Sequence, residues 1–331
     1  MHNTELHQIR EQFVNYFCNH GYIQEPSVKI SSNTDPTTIF IGSGISTLKK
    51  YILSEIPTAG VIVDQPSMRF RELKKLFDPS YNSHYGAFFN SMNLITPSQD
   101  VGALCEQLYN YFTENISIPE QNLLARVSSK DKELLKIARK QFKNMEIDTR
   151  PDSYYRHVVG IDGYKGINFN IAVKHKYTGE FEDTGNLLLF EKNGEHAFLE
   201  IGLGDTVIQK PLMGYDHVLD CYQVESPETL NKIERLNYIN SIIVSSVLYR
   251  EGLKPSNKNN QNRILQKYIK YLSLLKSKNL VTYENIGDSV SSFETQYYKD
   301  DKTIKEDILL TLNEKEDTFK IYLKDAGLLT H

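Results

Sequence analysis

A cluster of positively charged residues lies in the second half of the chain, where it would suit a phosphate-bearing partner. Residues 251–280 contain one acidic side chain, Glu251, and seven basic ones: Lys254, Lys258, Arg263, Lys267, Lys270, Lys276 and Lys278. Such a local cluster can hold phosphates even though the formal net charge of the whole chain is −4. A solvated helix face has the same pattern, so both interpretations stay open.

A turn-forming sequence, Pro255-Ser256-Asn257, lies inside this basic stretch. The amide of an asparagine offers donors and an acceptor to the base edges and 2′-hydroxyls of the shallow RNA minor groove. Asparagine also commonly turns or caps a chain, which is the structural alternative for Asn257. A basic helix after the turn would follow the backbone phosphates of an RNA partner.

The elements that would position these residues follow from periodicity. Apolar residues at helical spacing predict helices over 4–20, 99–114 and 130–143. Short runs rich in β-branched and aromatic residues, separated by Gly, Pro or Asn, predict strands. The predicted strands are Val28–Ser31, Thr38–Ile41, Gly60–Val63, Ala87–Asn93, Ile167–Lys174, Asn186–Glu191 and Ala197–Ile201. This pattern predicts an α+β fold built on an antiparallel sheet.

The composition becomes mostly helical near Ser226. Ser226-Pro227-Glu228 has the features of a helix start, with serine as the N-cap, proline at the first position and an acid in the first turn. We therefore predict a catalytic-type domain over 1–225 and a helical domain over 226–331.

Bulk properties exclude several classes of protein. The three cysteines, Cys18, Cys105 and Cys221, are far apart and indicate neither a disulfide framework nor a zinc site. The N-terminal residues lack a secretory-signal pattern, and no apolar run is long enough to span a bilayer. We expect a cytoplasmic protein that binds neither DNA nor a membrane, with its oligomeric state open.

Several segments, in order, resemble the catalytic and tRNA-recognition parts of alanyl-tRNA synthetases, which are class II enzymes. The carriers of this resemblance are Ile9–Phe17, His20-Gly21-Tyr22, Glu25-Pro26-Ser27, Thr34–Phe40, Ser43-Gly44-Ile45, Gln65–Arg69, Ala87-Phe88-Phe89, Glu200–Val207 and Arg235–Asn257. The resemblance implies a class II synthetase-like antiparallel sheet flanked by helices, followed by a mostly helical tRNA-recognition domain. The family's editing domain and C-terminal segment have no counterpart in this chain.

The resemblance also implies roles for particular residues. Arg69 corresponds to the arginine that neutralises charge on the ATP α-phosphate, with Arg71 as a near neighbour in an alternative register. Phe88 or Phe89 corresponds to the aromatic residue that stacks on adenine. Gly202 and Gly204 keep the backbone turn of the family's motif 3.

Further roles concern the amino acid and the tRNA. The acid that binds the substrate ammonium corresponds to Glu200, and Tyr155 or its neighbour Tyr154 lies nearest to the wall of the alanine pocket. Asn257 corresponds to the asparagine that reads the acceptor-stem G·U pair. The residues expected on tRNA phosphates are Arg263, Lys267 and Lys270.

Three departures from the family concern ATP and Mg²⁺. The arginine of motif 3 is Val207, and two glutamates, one of them at the magnesium site, are Asn170 and Asn90. Amides carry no charge and are weaker magnesium ligands, so no metal ligand is assigned and the expectation of Mg²⁺ is weakened. Lys210 and the segment Lys174-His175-Lys176 are the candidates for compensation.

Three functions remain open at this point. The chain activates alanine or a related small amino acid with ATP and charges tRNA; or it has lost adenylation and binds tRNA or aminoacyl-tRNA in regulation or biosynthesis; or it delivers the activated amino acid to another acceptor. Because the motif 3 arginine and the magnesium-site glutamate are absent, whether the chain is an active enzyme also stays open.

Overall fold

The computed structural model describes residues 6–97 and 100–329, and within them a nine-stranded mixed sheet with helices on either side. Its strand order is β1-β2-β3-β9-β8-β7-β4-β5, with β6 paired to β7 outside this path. The pairs β1–β2 and β4–β5 are parallel, whereas β3–β9, β9–β8, β8–β7, β7–β4 and β6–β7 are antiparallel. The predicted α+β class with a largely antiparallel sheet is confirmed.

The strands are β1 (Ile23–Gln24), β2 (Val61–Met68), β3 (Phe88–Pro97), β4 (Leu123–Val127), β5 (Asn144–Ile147), β6 (Arg156–His157), β7 (Tyr164–Lys174), β8 (Phe181–Lys192) and β9 (Glu195–Gly204). The helices are α1 (Leu6–Asn19), α2 (Gly44–Leu53), α3 (Val101–Asn110), α4 (Lys132–Gln141), α5 (Asp205–Met213), α6 (Lys232–Arg250), α7 (Asn260–Ser277), α8 (Tyr283–Tyr297), α9 (Lys305–Glu314) and α10 (Glu316–Asp325). Residues 4, 5 and 99 of two predicted helices lie outside the described residues.

The chain divides into two compact units. Unit 1 contains Met1–Val28, Thr34–Ser67 and Phe89–Val218, and unit 2 contains Lys29–Asn33, Met68–Phe88 and Leu219–His331. The predicted domain boundary at residue 225 stays a prediction, because unit 2 also includes two segments from earlier in the chain, Lys29–Asn33 and Met68–Phe88. No helix among the described residues is long and apolar enough to cross a membrane.

The main core of unit 1 lies on one face of the sheet. Alternate residues of the central strands, such as Met92, Phe169, Leu187 and Ile201, are buried there together with side chains of α1, α3, α4 and α5. Side chains alternate between the two faces of a strand, so the intervening residues must point the other way. The other face is apolar at one end, where α2 covers it, and polar at the other.

Two predicted strands are wrong, because other hydrogen bonds satisfy the backbone there in place of those to a neighbouring strand. Gln65 both accepts from the N–H of Val28 and donates to its carbonyl, at 2.9 and 2.8 Å, so Val28–Ser31 is a loop. A turn that begins at Asp35 leads into Thr38–Ile41: the carboxylate of Asp35 accepts from the N–H of Thr37 and its carbonyl from the N–H of Thr38, at 3.2 Å each.

The predicted helix start at Ser226 is also wrong. Helix α6 begins at Lys232, where Asn231 is the N-cap and accepts from the N–H groups of Ile233 and Glu234 at 3.0 Å each. Glu234 in turn accepts from the N–H of Asn231, which completes a capping box. This reciprocal pair outweighs the Ser-Pro-Glu pattern, which instead precedes a short turn.

Candidate functional site

A row of polar residues crosses the sheet of unit 1 on the face opposite its main core. The strand register places Asn93, Gly202, Asn186, Asn170 and Arg126 side by side on β3, β9, β8, β7 and β4. Buried polar groups lower stability unless they are satisfied or used, so a polar row on a sheet floor indicates a binding surface.

At the centre of this row, three polar side chains converge above a glycine. A β-carbon at Gly202 would lie 2.9 Å from Oδ1 of Asn186, 3.5 Å from Nδ2 of Asn93 and 3.7 Å from Oε1 of Glu200. Because glycine has no β-carbon, these side chains approach the backbone of β9 more closely than any other residue would allow. We name the four residues Asn93, Asn186, Glu200 and Gly202 the polar cradle.

The hydrogen bonds within the cradle determine which donor and acceptor atoms face a ligand. Oδ1 of Asn93 accepts from the N–H of Gly44 at 3.0 Å and from the hydroxyl of Ser91 at 2.6 Å. Its Nδ2 therefore faces Glu200 and donates to Oε1 at 2.8 Å. The cradle thus presents a carboxylate and the amide oxygen of Asn186, both acceptors, which suits a donor-only group such as an ammonium.

The turn after β9 has an apolar lining. A β-carbon at Gly204 would lie 3.0 Å from Cγ2 of Val207 and 3.7 Å from Cδ2 of Phe89. Phe89 and Val207 are both half-buried. The predicted residues Phe89 and Gly204 are therefore neighbours, and an apolar side chain lies where the resemblance implies a cation for phosphate.

Two residues that could compensate for the missing arginine, Lys210 and His175, are engaged with other groups. Nζ of Lys210 lies 2.5 Å from both carboxylate oxygens of Glu182. His175 is buried and uses its ring to stabilise a turn: Nδ1 accepts from the N–H groups of Tyr177 and Thr178, and Nε2 lies 3.1 Å from the carbonyl of Tyr215. Both side chains are thus engaged with neighbouring groups, and compensation for the lost arginine stays a prediction.

The two asparagines that replace glutamates are engaged with protein groups. Asn90 donates through Nδ2 to Asp64 at 2.9 Å. Asn170 accepts from Nδ2 of Asn168 at 3.1 Å and hydrogen-bonds the hydroxyl of Tyr154. These neutral, occupied amides do not fit the Mg²⁺ that the resemblance implies. The described residues contain no group of three or more His, Cys, Asp or Glu able to hold a metal ion.

Two acidic residues, the buried Asp205 and the half-buried Asp64, lie on the core side of the sheet. Asp205 begins α5, is fully buried, and accepts through Oδ1 from the N–H groups of Asn90 and Thr206 at 3.0 and 2.7 Å. Its Oδ2 is buried without a hydrogen-bond partner. Burial raises the pKa of Asp205 to about 7, against the opposing charge of Arg10 and with a smaller contribution from Asp64. Burial also raises the pKa of Asp64, whose Oδ2 lies 3.9 Å from Nε of Arg10.

Three other predicted residues lie in different surroundings. Phe88 is 1% exposed and packs in unit 2 against the rings of Tyr222, Phe293 and Tyr297. Phe89 is thus the candidate of the pair for stacking on adenine. Tyr155 is also 1% exposed, and its place on the wall of the alanine pocket stays a prediction. Arg69 is exposed in unit 2, and its N–H donates to the carbonyl of Ala87 at 2.8 Å.

The turn at Pro255-Ser256-Asn257 is held by neighbouring groups of unit 2. Nζ of Lys315 donates to the carbonyl of Pro255 at 2.6 Å, and Nδ2 of Asn262 to Oγ of Ser256 at 3.2 Å. The N-cap of α7 is Asn259 and not Asn257. Asn257 is exposed on this fixed turn, so capping α7 does not explain its presence.

The three predicted phosphate-binding residues of α7 differ in exposure. Arg263 and Lys267 are exposed, and Arg263 donates to Oδ1 of Asn260 at 2.8 Å. Lys270 instead packs on α10, with Nζ 3.2 Å from the ring centre of Tyr322. Burial and then the charge of Lys267 lower the pKa of Lys270. Lys270 is therefore partly used in packing the helices of unit 2.

Asn93, Asn186 and His157 are site residues that the sequence interpretation missed. Nδ2 of Asn186 lies 3.4 Å from Nε2 of His157, so the histidine extends the polar surface beyond the cradle. A signal was available for the asparagines, since each is a polar residue in phase with the outward positions of an apolar strand. No local pattern marks His157.

The chain is similar in sequence to alanine–tRNA ligases. No family model matches the chain. The alanine–tRNA ligase of Acetivibrio thermocellus is 25% identical over 144 residues, which is 43% of this chain and 16% of that protein. The alanine–tRNA ligase of Listeria welshimeri is 38% identical over 61 residues, or 18% of this chain and 6% of that protein. The chain is a partial, divergent relative of alanyl-tRNA synthetases, and the matches span less than a fifth of those relatives' length.

Solved structures give a weaker likeness. The asparaginyl-tRNA synthetase of Entamoeba histolytica in complex with asparaginyl-adenylate has a TM-score of 0.42 at 12% identity, covering 66% of each chain. The asparaginyl-tRNA synthetase of Pyrococcus horikoshii has a TM-score of 0.39 at 10% identity, covering 65% of this chain and 66% of that one. At these scores the superposition supports no conclusion about substrate or activity.

Proposed function

We propose that this synthetase-like chain binds a small free amino acid through its ammonium group and activates the carboxylate with ATP. The observation that carries the proposal is the polar cradle, in which Glu200 and Asn186 direct two acceptors at the space above Gly202. Glu200 is 7% exposed, and a carboxylate in such a site attracts an ammonium more strongly than one in bulk water. The sequence matches to alanine–tRNA ligases support the same reaction class.

Activation consists of attack by a carboxylate oxygen of the amino acid on the α-phosphorus of ATP. The bond to the bridging oxygen breaks, pyrophosphate leaves and an aminoacyl-adenylate forms. Arg69 is the proposed cation for the charge that accumulates on the phosphate, and Phe89 the proposed platform for adenine. Because Val207 replaces a second cation, we propose a reaction slower by roughly 10²–10³-fold than one with that cation in place.

The proposed acceptor of the amino acid is the acceptor stem of a tRNA, bound by unit 2. Asn257 on its fixed turn and the exposed cations Arg263 and Lys267 support this assignment. A second candidate function, tRNA binding without adenylation, is favoured by Val207 and by the pairing of Lys210 with Glu182. A carrier protein or metabolite as acceptor is the third, indicated if activation occurs without tRNA binding.

Amino-acid-dependent exchange of pyrophosphate into ATP tests activation directly. Wild-type protein should exchange, Arg69→Ala should lower the rate by roughly 10²–10³-fold, and Arg71→Ala should change it little. Glu200→Gln should raise the KM for the amino acid by about 10–100-fold, since it keeps an oxygen for Asn93 but removes the charge that pairs with the ammonium. Glu195→Gln, an exposed position on the same strand, is the control. Absence of exchange with every proteinogenic amino acid would eliminate the activating function.

A further inference from the structure

The single acidic residue of the basic stretch 251–280, Glu251, holds a segment that is distant in sequence. Its two carboxylate oxygens accept from the N–H groups of Ile30 and Ser31 at 2.6 and 2.7 Å. Hydrogen bonds from N–H groups to a carboxylate are stronger than those to a neutral acceptor. Glu251 therefore fastens this segment to unit 2, to which Lys29–Asn33 belongs.

The fastened segment is a tight turn. The N–H of Ser32 donates to the carbonyl of Lys29 at 3.0 Å, so that Ile30 and Ser31 lie at the centre of a four-residue turn. Nε2 of Gln261 donates to the carbonyl of Ser31 at 3.1 Å, and the side chain of Ile30 is 1% exposed. The turn is thus held from outside through its N–H groups, a carbonyl and a buried side chain. We name residues 29–32 the docked turn; its first residue, Lys29, is exposed.

The docked turn and the turn that carries Asn257 are held by consecutive residues of α7. Gln261 holds the docked turn, and Asn262 donates through Nδ2 to Oγ of Ser256 at 3.2 Å. Consecutive residues of a helix point about 100° apart, so the two turns lie on adjacent sides of the start of α7. The docked turn therefore brings Lys29 beside the surface of unit 2 that is proposed to bind tRNA.

We infer that the docked turn is part of this tRNA-binding surface, that Lys29 contacts a backbone phosphate, and that Glu251 positions the turn. This inference rests on the proposed binding of tRNA by unit 2. Because the turn is already fixed within the protein, the contact avoids the entropy cost of ordering a loop on binding. The role also explains why an acid is present on a surface that otherwise attracts phosphates.

The contact at Lys29 is tested by titrating the protein into a labelled transcript of an alanine-specific tRNA at a series of salt concentrations. Lys29→Ala should reduce the salt slope by about 1 and weaken binding roughly threefold or more at low salt. Lys232→Ala is the matched control, an exposed lysine of unit 2 at the other end of α6. At 1.5 Å per residue it lies roughly 28 Å from Glu251, and it should leave the slope unchanged. An unchanged slope for Lys29→Ala, or an equal reduction in both variants, would overturn the contact.

The positioning role of Glu251 is tested by a change whose sign differs from that of a simple charge effect. By charge alone, removal of an acid from a basic surface should strengthen RNA binding. Glu251→Ala should instead weaken it, and Lys29→Ala should then add little further loss in a double-mutant cycle. Glu251→Asp keeps the charge but is shorter by one methylene group, so it should show the same coupling. Tighter binding by Glu251→Ala, or additive losses in the cycle, would overturn the positioning role.

The outcomes separate this inference from the function beneath it. Weaker binding by the double variant Arg263→Ala with Lys267→Ala, but not by Lys29→Ala, overturns the inference and leaves tRNA binding standing. Absence of salt-dependent binding by wild-type protein overturns both. Lys29→Ala alters only an exposed side chain, so it decides the inference even if a Glu251 variant fails to fold.

Discussion

Nδ2 of Asn93 donates to Oε1 of Glu200 at 2.8 Å, across the antiparallel pair β3–β9. Asn93 can do so because the N–H of Gly44 and the hydroxyl of Ser91 occupy its amide oxygen. The carboxylate is therefore held in place by a residue that is itself fixed from two sides. This arrangement makes the geometry of the cradle testable.

Asn93→Asp should weaken amino-acid binding more than it slows the chemical step. The new carboxylate keeps its two donors but directs an unpaired oxygen at Glu200, so two like charges face each other in a buried site. We expect the KM for the amino acid to rise by about tenfold or more, with kcat changed little. A variant with the opposite split, kcat lowered and KM intact, would show that Asn93 does not act through ground-state binding.

Gly202→Ala should block the cradle. The added β-carbon would lie 2.9 Å from Oδ1 of Asn186, in the space proposed for the ligand. We expect loss of amino-acid-dependent exchange with little change in thermal midpoint, because the nearest atom is the end of a side chain. Gly102→Ala in α3 is the matched control, since a β-carbon there meets only Oδ1 of Asp100, at 3.2 Å. Full activity of Gly202→Ala would place the ligand elsewhere.

Val207→Arg should accelerate activation. Val207 is half-buried beside Gly204 and Phe89, so a long side chain can extend from this position toward solvent. Restoring a cation should raise the rate of pyrophosphate exchange by at least tenfold, within the roughly 10²–10³-fold that one charge-stabilising group supplies. Val207→Gln, which introduces a polar but uncharged and shorter side chain, should not. If both variants behave like wild type, the missing arginine does not limit the rate.

Asp205 should make stability depend on pH. Its pKa is raised from 3.8 to about 7 in the folded chain, so between these values the folded state binds the proton more tightly than the unfolded state. The free energy of unfolding should therefore fall as pH rises from about 4 to about 7, and this contribution should level off above. Burial is the cause, and Arg10 and Asp64 are the charged groups that act on it.

Asp205→Asn removes the titrating group while keeping an oxygen for the N–H groups of Asn90 and Thr206. The variant should lose this part of the pH dependence and exceed wild type in stability at pH 8, as urea denaturation at a series of pH values would show. Asp162→Asn, at an exposed position, should leave the profile unchanged. Parallel profiles for Asp205→Asn and wild type would mean that Asp205 is not the group responsible.

Removing two exposed cations of α7 should weaken tRNA binding and its salt dependence. Each phosphate that is no longer neutralised should reduce the salt slope by about 1, so Arg263→Ala with Lys267→Ala should reduce it by about 2. Lys132→Ala with Lys136→Ala removes the same charge from exposed positions of α4 and should have a smaller effect. Equally weakened binding in the two double variants would indicate non-specific attraction.

The fold was predictable where periodicity is strong. The amphipathic helix α1 and strands β3, β7, β8 and β9 follow from apolar spacing, because burial on one face dictates it. The loops at Val28 and Asp35 could not be predicted in this way. At Val28 the side chain of the distant Gln65 replaces strand pairing, and at Asp35 a local turn does so. The start of α6 was misplaced because two capping patterns compete within a few residues, and the side-chain geometry decides between them.

The site was predictable only in part, and for a physical reason. Glu200, Gly202, Phe89 and Gly204 could be found because they lie in contiguous motifs. The other half of the cradle, Asn93 and Asn186, lies on strands distant in sequence, and only the register of β3, β9 and β8 brings these residues together. The ion pair that engages Lys210 likewise depends on a residue distant in sequence, Glu182, 28 residues away.

Calorimetric titration with a non-reactive aminoacyl-sulfamoyl adenosine tests the cradle most directly, because it requires binding but no chemistry. Wild-type protein should bind the aminoacyl-sulfamoyl adenosine of at least one proteinogenic amino acid. Glu200→Gln and Gly202→Ala should each bind that compound at least tenfold more weakly, and the Glu195→Gln control should bind it with wild-type affinity. Equal affinity of all four proteins, or binding by none, would contradict the assignment of the cradle as an amino-acid site.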